Sequence, residues 1–195
     1  MTTTMTIDEI IRLRRTTKPF AMNGNKIPDA VVRELLELAD WAPTHAFTEP
    51  WYFAVYAGDG VQQFGKDHAE LYRLNTPAER FATATYEKLE TMGKMASHLI
   101  VLCMKRGDNP KIPDIEELVS ASCAAQNILL GAAARELAVY WGSGGMTFHP
   151  AMKEYLGLGE ADRVLGYLYL GYADAEVLAP GRRLRPLAEK IKWVD

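Results

Sequence analysis

The pattern of apolar positions predicts two amphipathic helices near the start of the chain. Ile7, Ile10, Ile11 and Leu13 share one face of the first helix. Thr6 and Glu9 have the spacing of a capping box, in which each side chain satisfies an exposed N–H of the first turn. A wider apolar stripe follows Pro28 and stops before Pro43, which predicts a second helix between the two prolines.

Short apolar runs without helical spacing predict four strands. The run at 51–56 is aromatic and β-branched, and the run at 98–104 is continuously apolar, as expected for a buried strand. Further strands are predicted at 139–141 and 164–170. Because helices and strands are interspersed, the elements indicate an α/β or α+β class with helices in the majority.

Further helical stretches separate these strands. Residues 59–91 are polar and helical in two pieces, with a break near residues 75–77, and a short helix is predicted at 150–156. The longest helix starts at Pro113 and reaches about Glu136. Its stretch 121–134 is small or apolar on nearly every face, so it is expected to be buried in its own chain or against a partner.

Length and composition are those of an ordinary globular protein. At about 150 residues per domain, 195 residues predict a single domain over 1–195, with an extended tail from about residue 173. The net charge of −3 lacks the basic excess of a general nucleic-acid binder. No apolar run approaches about 18 residues, so no membrane-spanning helix is expected, and the first residues lack the pattern of a secretory signal.

The cysteines and histidines carry no recognisable metal or disulfide pattern. Cys103 and Cys123 lie inside apolar runs and are expected to be buried free thiols, which favours a reducing, cytoplasmic setting. The four histidines lack ligand spacing and are expected to be surface or hydrogen-bonded residues, and no metal site is predicted. Ser143 lies in W-G-S-G-G, not in G-x-S-x-G, so a hydrolase that uses Ser143 with His149 is a weak alternative.

Two basic clusters and one glycine-rich turn are the candidate functional features. The clusters are Arg14-Arg15-Thr16-Thr17-Lys18 and Arg182-Arg183-Leu184-Arg185. Arginine offers a forked donor set for phosphate and threonine adds a hydroxyl, so the clusters could converge on one phosphate. The turn Trp141-Gly142-Ser143-Gly144-Gly145 would let backbone N–H groups approach a flat ligand. Taken singly, each feature is also typical of a solvated surface or a simple turn.

Four motifs in this order resemble those of the nitroreductase family of FMN-dependent oxidoreductases. They are Arg14-Arg15-Thr16-Thr17-Lys18-Pro19-Phe20, then Ala42-Pro43-Thr44 with Glu49-Pro50-Trp51, then the helical segment 124–130 with the strand and small-residue loop after it, and finally Arg185-Pro186-Leu187 with Trp193. The resemblance extends over about residues 7–195.

The resemblance implies an α+β fold of the nitroreductase type, with a central, mostly antiparallel sheet flanked by helices. It implies an intertwined homodimer with two FMN molecules in the interface, each touched by both chains, and the helix at 121–134 would serve as the dimer core. The implied reaction takes hydride from NAD(P)H and passes it, by a ping-pong mechanism, to a nitroaromatic, a quinone or another electron-poor small molecule. Because the flavin carries the chemistry, no catalytic side chain is assigned.

The same resemblance implies which residues hold the flavin. Arg14, Arg15, Thr16 and Lys18 would contact the phosphate, the ribityl chain and the pyrimidine edge, and Arg183 and Arg185 would complete the phosphate site. Pro43, Thr44 and His45 would come from the partner chain, near the dimethylbenzene side. Ser143, Gly144 and Gly145 would cover the ring face, with a backbone N–H near N5. A cation such as Lys18 would stabilise the negative charge of the reduced ring.

Three features depart from the family pattern. Glu49 replaces the usual glutamine, Thr16 replaces the commoner serine, and residues 58–94 match no motif and form a candidate lid or channel wall. Two alternatives keep the flavin: a family member specialised for one metabolite, and a non-redox flavin-binding protein. The preference between NADH and NADPH has no signature in the sequence.

Overall fold

Helices cover both faces of a four-stranded sheet in a computed structural model that describes residues 5–174 and 181–194. Each predicted helix and strand is present, with ends within a few residues of those expected. The helices are α1 (Ile7–Leu13), α2 (Asp29–Asp40), α3 (Asp59–Asn75), α4 (Thr83–Thr91), α5 (Asp114–Ala133) and α6 (Pro150–Tyr155). The strands are β1 (Trp51–Ala57), β2 (His98–Met104), β3 (Ala138–Gly142) and β4 (Arg163–Gly171).

The strands lie in the order β1-β2-β4-β3, and all three pairings are antiparallel. Trp51 pairs with Met104, and Met104 with Arg163, so these strand ends meet at one end of the sheet. A register shift between Leu102 and Cys103 interrupts the β2–β4 ladder. β1 and β3 are therefore the two edge strands, on opposite sides of the sheet.

Strand β2 is buried along its whole length because helices cover both faces of the sheet. Ile100 and Leu102 face one layer, where they pack with α2 and α5. Leu99 and Val101 alternate to the other layer, which includes Phe64 of α3 and Met152 of α6. This explains why the sequence of β2 is apolar at every position.

One side of the apolar stretch of α5 is buried within its own chain. Ala124, Ala125 and Ile128 pack against α2 and the sheet. The residues of 121–134 outside this buried side are half-buried or exposed, so the chain itself supplies only part of the expected burial, and the expected role of the stretch as a dimer core stays a prediction. Cys103 is buried and burial raises the pKa of its thiol to about 12. Cys123 is also a free thiol, but it is only half-buried, in contrast to the expectation.

Helix α1 has the predicted capping box but not a buried face. Thr6 Oγ1 accepts the Glu9 N–H at 3.3 Å, and the Glu9 carboxylate accepts the Thr6 N–H at 2.7 Å. Ile7, Ile11 and Leu13 are each more than half exposed. The amphipathic pattern therefore predicted the helix correctly but not what covers its apolar side.

The expected extended tail, 173–195, is described only in part, because residues 175–180 and 195 lie outside the described residues. Residues 181–186 have no helix or strand, and a 3-10 turn follows at Leu187–Lys190. None of the helices in the described ranges is both long and apolar enough to cross a bilayer.

A buried ion pair fixes the connection between β2 and α5. Glu117 is 1% exposed and pairs with the guanidinium of Arg106, which also donates to the carbonyl of Ile112. The Glu117 carboxylate accepts the Gly107 N–H at 3.1 Å as well. Every group of this network has a partner, so removing one member would leave a buried charge without compensation.

We predict that Arg106→Met lowers the free energy of unfolding by roughly 3–5 kcal/mol, because Glu117 then remains buried without its cation. The matched control is Arg163→Met. Arg163 pairs at 3.4 Å with Asp114, which lies on α5 like Glu117, but both side chains of this pair are more than half exposed. That variant should cost less than about 1 kcal/mol. Urea unfolding of both variants measures the difference, and equal losses would contradict the prediction.

Candidate functional site

The first basic cluster runs along the outer edge of β3. The N–H of Thr17 donates to the carbonyl of Val139 at 2.9 Å, which aligns this segment with the edge strand. Thr17 and Pro19 are buried, whereas Thr16 and Lys18 are exposed. Because side chains alternate along an extended chain, Thr16 and Lys18 project to the same, open side.

Arg14 and Arg15 line a cavity of about 510 Å³ between α1, α5 and β3. The Arg15 guanidinium donates to the carbonyls of Arg12 at 2.6 Å and Arg14 at 2.9 Å. Gly181 lies against it so closely that a Cβ there would be 2.4 Å from Arg15 Cζ. The second basic cluster therefore begins beside the first, as a shared phosphate site requires.

Arg183 and Arg185 have partners within the tail itself. Arg183 donates to the carbonyl of Arg182 at 3.2 Å, and Arg185 Nε donates to Glu189 at 3.2 Å. Arg185 and Glu189 are both more than half exposed, so their ion pair contributes little to stability. A phosphate that binds Arg185 therefore displaces Glu189 at little cost in free energy. The start of the tail thus lies against Arg15, but the guanidinium groups of Arg183 and Arg185 are hydrogen-bonded to other residues of the tail.

The glycine-rich loop 143–147 follows β3 directly, and two side chains fix its course. Met146 N–H donates to Nε2 of His68 at 2.9 Å, and Thr147 Oγ1 donates to the carbonyl of Gly144 at 2.6 Å. Ser143, Gly144 and Gly145 are exposed. Within the described residues, no acceptor is recorded for the N–H groups of Gly144 and Gly145.

Gly145 is the position where only glycine fits. Its φ of +63° lies in the left-handed region, which favours glycine. A Cβ there would lie 2.6 Å from His68 Nε2 and 2.7 Å from Leu89 Cδ2. A Cβ on Gly144, in contrast, would meet nothing within 4 Å. The loop thus packs tightly on the α3–α4 layer through Gly145 and presents Gly144 to the outside.

A smaller cavity of about 140 Å³ lies beside this loop. Lys88 of α4 and Tyr140 of β3 line it together with Gly144 and Gly145. Tyr167 also lines this cavity; its buried hydroxyl lies near Thr147 but makes no well-formed hydrogen bond within the part of the chain that the structure describes. Unpaired donors and a crowded glycine are features expected where a polar ring approaches the backbone.

His68 was not predicted as a site residue, yet it supports the loop. The imidazole is 2% exposed and packs edge-on against Phe64 and Tyr167, with ring centroids 5.7 and 5.2 Å away. Burial lowers the pKa of His68 to about 4, so the ring is neutral near pH 7 and its Nε2 can accept the Met146 N–H. The two residues are 78 positions apart, and no local sequence pattern links them.

The loop 43–49 lies at the other edge of the sheet. It precedes β1, whereas the glycine-rich loop follows β3, and three strand spacings of about 4.8 Å place the two edges about 14 Å apart. Pro43, Thr44 and His45 therefore do not join Ser143, Gly144 and Gly145 within one chain. His45 instead bonds Glu116 of α5 at 2.5 Å, and Glu49 is exposed, with its N–H donating to Thr44 Oγ1 at 3.1 Å.

The aromatic side chains of residues 58–94 pack against one another and against the core. Phe64 is 1% exposed in the core, and Phe81 stacks on Tyr72 with centroids 5.4 Å apart. Tyr86 lies 6.2 Å from Phe81 and donates to Glu70 at 2.6 Å. The helices α3 and α4 form a hairpin over the sheet, close to the glycine-rich loop.

The remaining histidines are hydrogen-bonded as expected. His98 lies between Ser97 Oγ at 2.9 Å and Asp29 Oδ1 at 3.1 Å, but Ser97 is fully buried and out of reach of a substrate. His149 Nδ1 accepts the Ala151 N–H at 3.2 Å at the start of α6, and no bond to Ser143 is recorded among the described residues. Within the same residues, no cluster of three metal-ligating side chains occurs.

Comparisons with known proteins agree with one another. The profile of the Nitroreductase family matches residues 11–172. YdjA of Escherichia coli strain K12, provisionally named an NAD(P)H nitroreductase, is 29% identical over 140 residues, which cover 72% of this chain and 74% of YdjA.

Two solved structures share the fold. A nitroreductase-like family protein from Bacillus cereus superposes with a TM-score of 0.81 at 26% identity, covering 100% of this chain and 99% of that one. The FMN and NADPH-dependent nitroreductase NfnB from Sphigopyxis sp. strain HMH has a TM-score of 0.75 at 17% identity, covering 98% and 100% of the two chains. The expected fold, an antiparallel sheet flanked by helices, is confirmed.

We predict that Gly145→Ala lowers the free energy of unfolding by roughly 2–4 kcal/mol, because the new Cβ combines left-handed strain with a clash against His68. Gly144→Ala is the control, since its Cβ enters open space and should cost no more than about 1 kcal/mol. Thermal unfolding of both variants tests this. A Gly145→Ala protein as stable as the Gly144→Ala protein would contradict the packing described above.

We also predict a stability loss in a defined pH window. The pKa of His68 falls from 6.5 in the unfolded chain to about 4 in the folded chain, so the unfolded state binds the proton more readily. The stabilisation is complete above about pH 6.5 and is lost as the pH falls toward 4, by at most roughly 3 kcal/mol.

The matched variant for this pH effect is His68→Gln, which keeps an acceptor and cannot titrate. Urea unfolding at pH 7, 5.5 and 4.5 should show a steeper loss for the parent protein than for His68→Gln. Parallel curves would mean that His68 does not titrate in this window.

Proposed function

The chain belongs to the nitroreductase family, as the match over residues 11–172 shows, and on this premise we propose that it is an FMN-dependent oxidoreductase with NAD(P)H as electron donor. The observation that carries the proposal is the adjacency of two groups along β3. The basic segment 14–18 pairs with this strand, and the glycine-rich loop with its unpaired N–H groups follows it.

The residues present fit a flavin mononucleotide. Arg14 and Arg15 offer forked donors for the phosphate, and the tail that carries Arg183 and Arg185 begins beside them, where Gly181 lies against Arg15. Thr16 supplies a hydroxyl for the phosphate or the ribityl chain. The exposed Gly144 and Gly145 N–H groups provide polar partners for a ring edge.

Bound FMN would supply the chemistry of accepting a hydride and passing it on. The chain's own contribution is electrostatic. Lys18 is exposed on the open side of the basic segment, where its charge stabilises negative charge that develops on the pyrimidine edge. The Gly145 N–H lies between peptide groups that are held by His68 and Thr147, so it orients a ring without rearrangement during the reaction.

The assembly that we propose is a homodimer with FMN at the interface. Pro43, Thr44 and His45 precede β1, at the opposite edge of the sheet from β3, so in this proposal they reach a flavin held by Ser143–Gly145 from a second copy. Large exposed apolar side chains support a second copy. They include Ile7, Leu13, Phe20, Trp41, Phe47, Ile115, Leu184 and Trp193.

The acceptor that we propose is a small electron-poor molecule such as a nitroaromatic or a quinone, reduced at the same ring face after the nicotinamide has left. A family member specialised for a single metabolite would use the same site with a narrow acceptor range. A non-redox flavin-binding protein would share the binding residues but would not be reduced by NAD(P)H. The hydrolase alternative loses support because Ser143 is exposed and His149 Nδ1 caps α6.

The decisive experiment is an absorbance spectrum of the purified protein, followed by anaerobic addition of NADH and then NADPH. We expect flavin bands that bleach with one or both nucleotides and return when a nitroaromatic or quinone is added. Bands that persist would favour the non-redox alternative. A colourless protein that does not take up added FMN would refute the proposed function.

We predict that Arg14→Ala and Arg183→Ala each weaken FMN binding by about tenfold, since each removes a charged donor worth about 1.4 kcal/mol. Arg12→Ala is the matched control because Arg12 also lies at the end of α1 but is exposed and pairs only with Asp8, at 3.6 Å. Fluorescence titration of the apoproteins with FMN gives the dissociation constants. Wild-type affinity in both variants would show that these arginines do not hold the phosphate.

A further inference from the structure

His68 is a buried, uncharged histidine that no contact with the proposed cofactor requires. It belongs to α3, at the centre of the aromatic cluster formed by Phe64 and Tyr167. Its Nε2 is nevertheless the acceptor for a backbone N–H in the loop that is proposed to cover the flavin ring. The imidazole therefore connects the rigid helical layer to the functional loop.

Two consecutive residues of the loop, Gly145 and Met146, lie close to the His68 ring. Met146 N–H donates to Nε2 at 2.9 Å, and the Cα of Gly145 packs so near that any Cβ would clash with the same nitrogen. The hydrogen bond needs an acceptor at the tip of the side chain. Because burial keeps the pKa of His68 near 4, the lone pair on Nε2 stays available at neutral pH.

Thr147 provides a second tether of the same loop, since its hydroxyl donates to the Gly144 carbonyl at 2.6 Å. Met146 N–H and Gly144 C=O are both engaged, so the two peptide groups that flank Gly145 have little freedom. The Gly145 N–H belongs to the same planar peptide group as the Gly144 carbonyl, so its direction is fixed. Donors that are already oriented contribute most to stabilising charge that develops during a reaction.

We propose that His68 is a positioning residue for the flavin reaction, which holds the Ser143–Met146 loop through Met146 N–H and so aims the Gly145 N–H at the cofactor ring. This inference rests on the proposed function. His68 also lines the smaller cavity, but its Nε2 is engaged by the Met146 N–H, so in this role it acts through the loop. Replacing its acceptor should therefore change how fast the bound ring is reduced more than how tightly FMN binds.

The variants His68→Gln and His68→Asn form a matched pair. Both side chains are polar amides of similar character, but the glutamine oxygen reaches the position of Nε2 and the asparagine oxygen stops about one bond short. The Gln variant should keep the hydrogen bond to Met146, and the Asn variant should lose it. A purely structural role of the buried ring would affect both variants alike.

The first measurement is amide hydrogen exchange of Met146, which does not depend on activity. In the parent protein and in His68→Gln, Met146 should exchange at least about tenfold more slowly than Gly144, whereas in His68→Asn this protection should disappear. A Met146 amide that exchanges as fast as Gly144 in the parent protein would overturn the proposal.

The second measurement is the anaerobic rate of flavin reduction at saturating NAD(P)H, together with the FMN dissociation constant. We expect His68→Asn to slow reduction by about tenfold with FMN affinity within about threefold, and His68→Gln to stay within about threefold of the parent in both. Equal rates in the two variants, or a His68→Gln protein that fails to fold, would overturn the proposal. A parent protein that holds no FMN would instead refute the proposed function, which the exchange measurement does not use.

Discussion

The hydrogen bond from the Thr17 N–H to the Val139 carbonyl joins the fold to the candidate site. An edge strand such as β3 presents unpaired backbone groups to solvent and needs a cover. The basic segment provides that cover, and its extended course sends Thr16 and Lys18 outward while Thr17 and Pro19 are buried. The same pairing brings this segment alongside the strand that leads into the glycine-rich loop. The pairing of this segment with β3 therefore both covers the sheet edge and brings the proposed binding residues together.

The complete burial of β2 explains how the glycine-rich loop is supported. A central strand with no exposed residue needs a helical layer on each face, and one of those layers is built from α3, α4 and α6. That layer brings His68 and Leu89 beneath Gly145. The loop is therefore supported from inside by side chains whose own rotamers are locked by the core, which is the arrangement expected where backbone donors must keep their direction.

Local patterns predicted the elements well because prolines, capping residues and continuous apolar runs act over a few positions. Strand β2 has the bounds predicted, and Thr6 forms its predicted cap. Long-range relations had no such signature. The sheet order, the contact of His68 with Met146 and the placement of loop 43–49 at the opposite edge all depend on residues far apart in the chain. The motif resemblance supplied the candidate residues, but only the topology showed that two groups of them belong to different edges.

That separation gives a physical reason for a second copy under the proposed homodimer. Ala46, Phe47 and Glu49 all have positive φ, from +42° to +53°, and each costs about 1–3 kcal/mol. The loop is held in this form by Thr44, and by the bond of His45 to Glu116, yet Phe47 is 88% exposed. These hydrogen bonds leave the Phe47 ring uncovered. In the proposed twofold dimer, a contact of this ring with the second chain would occur at two equivalent sites and would offset both the exposure of the ring and the backbone strain.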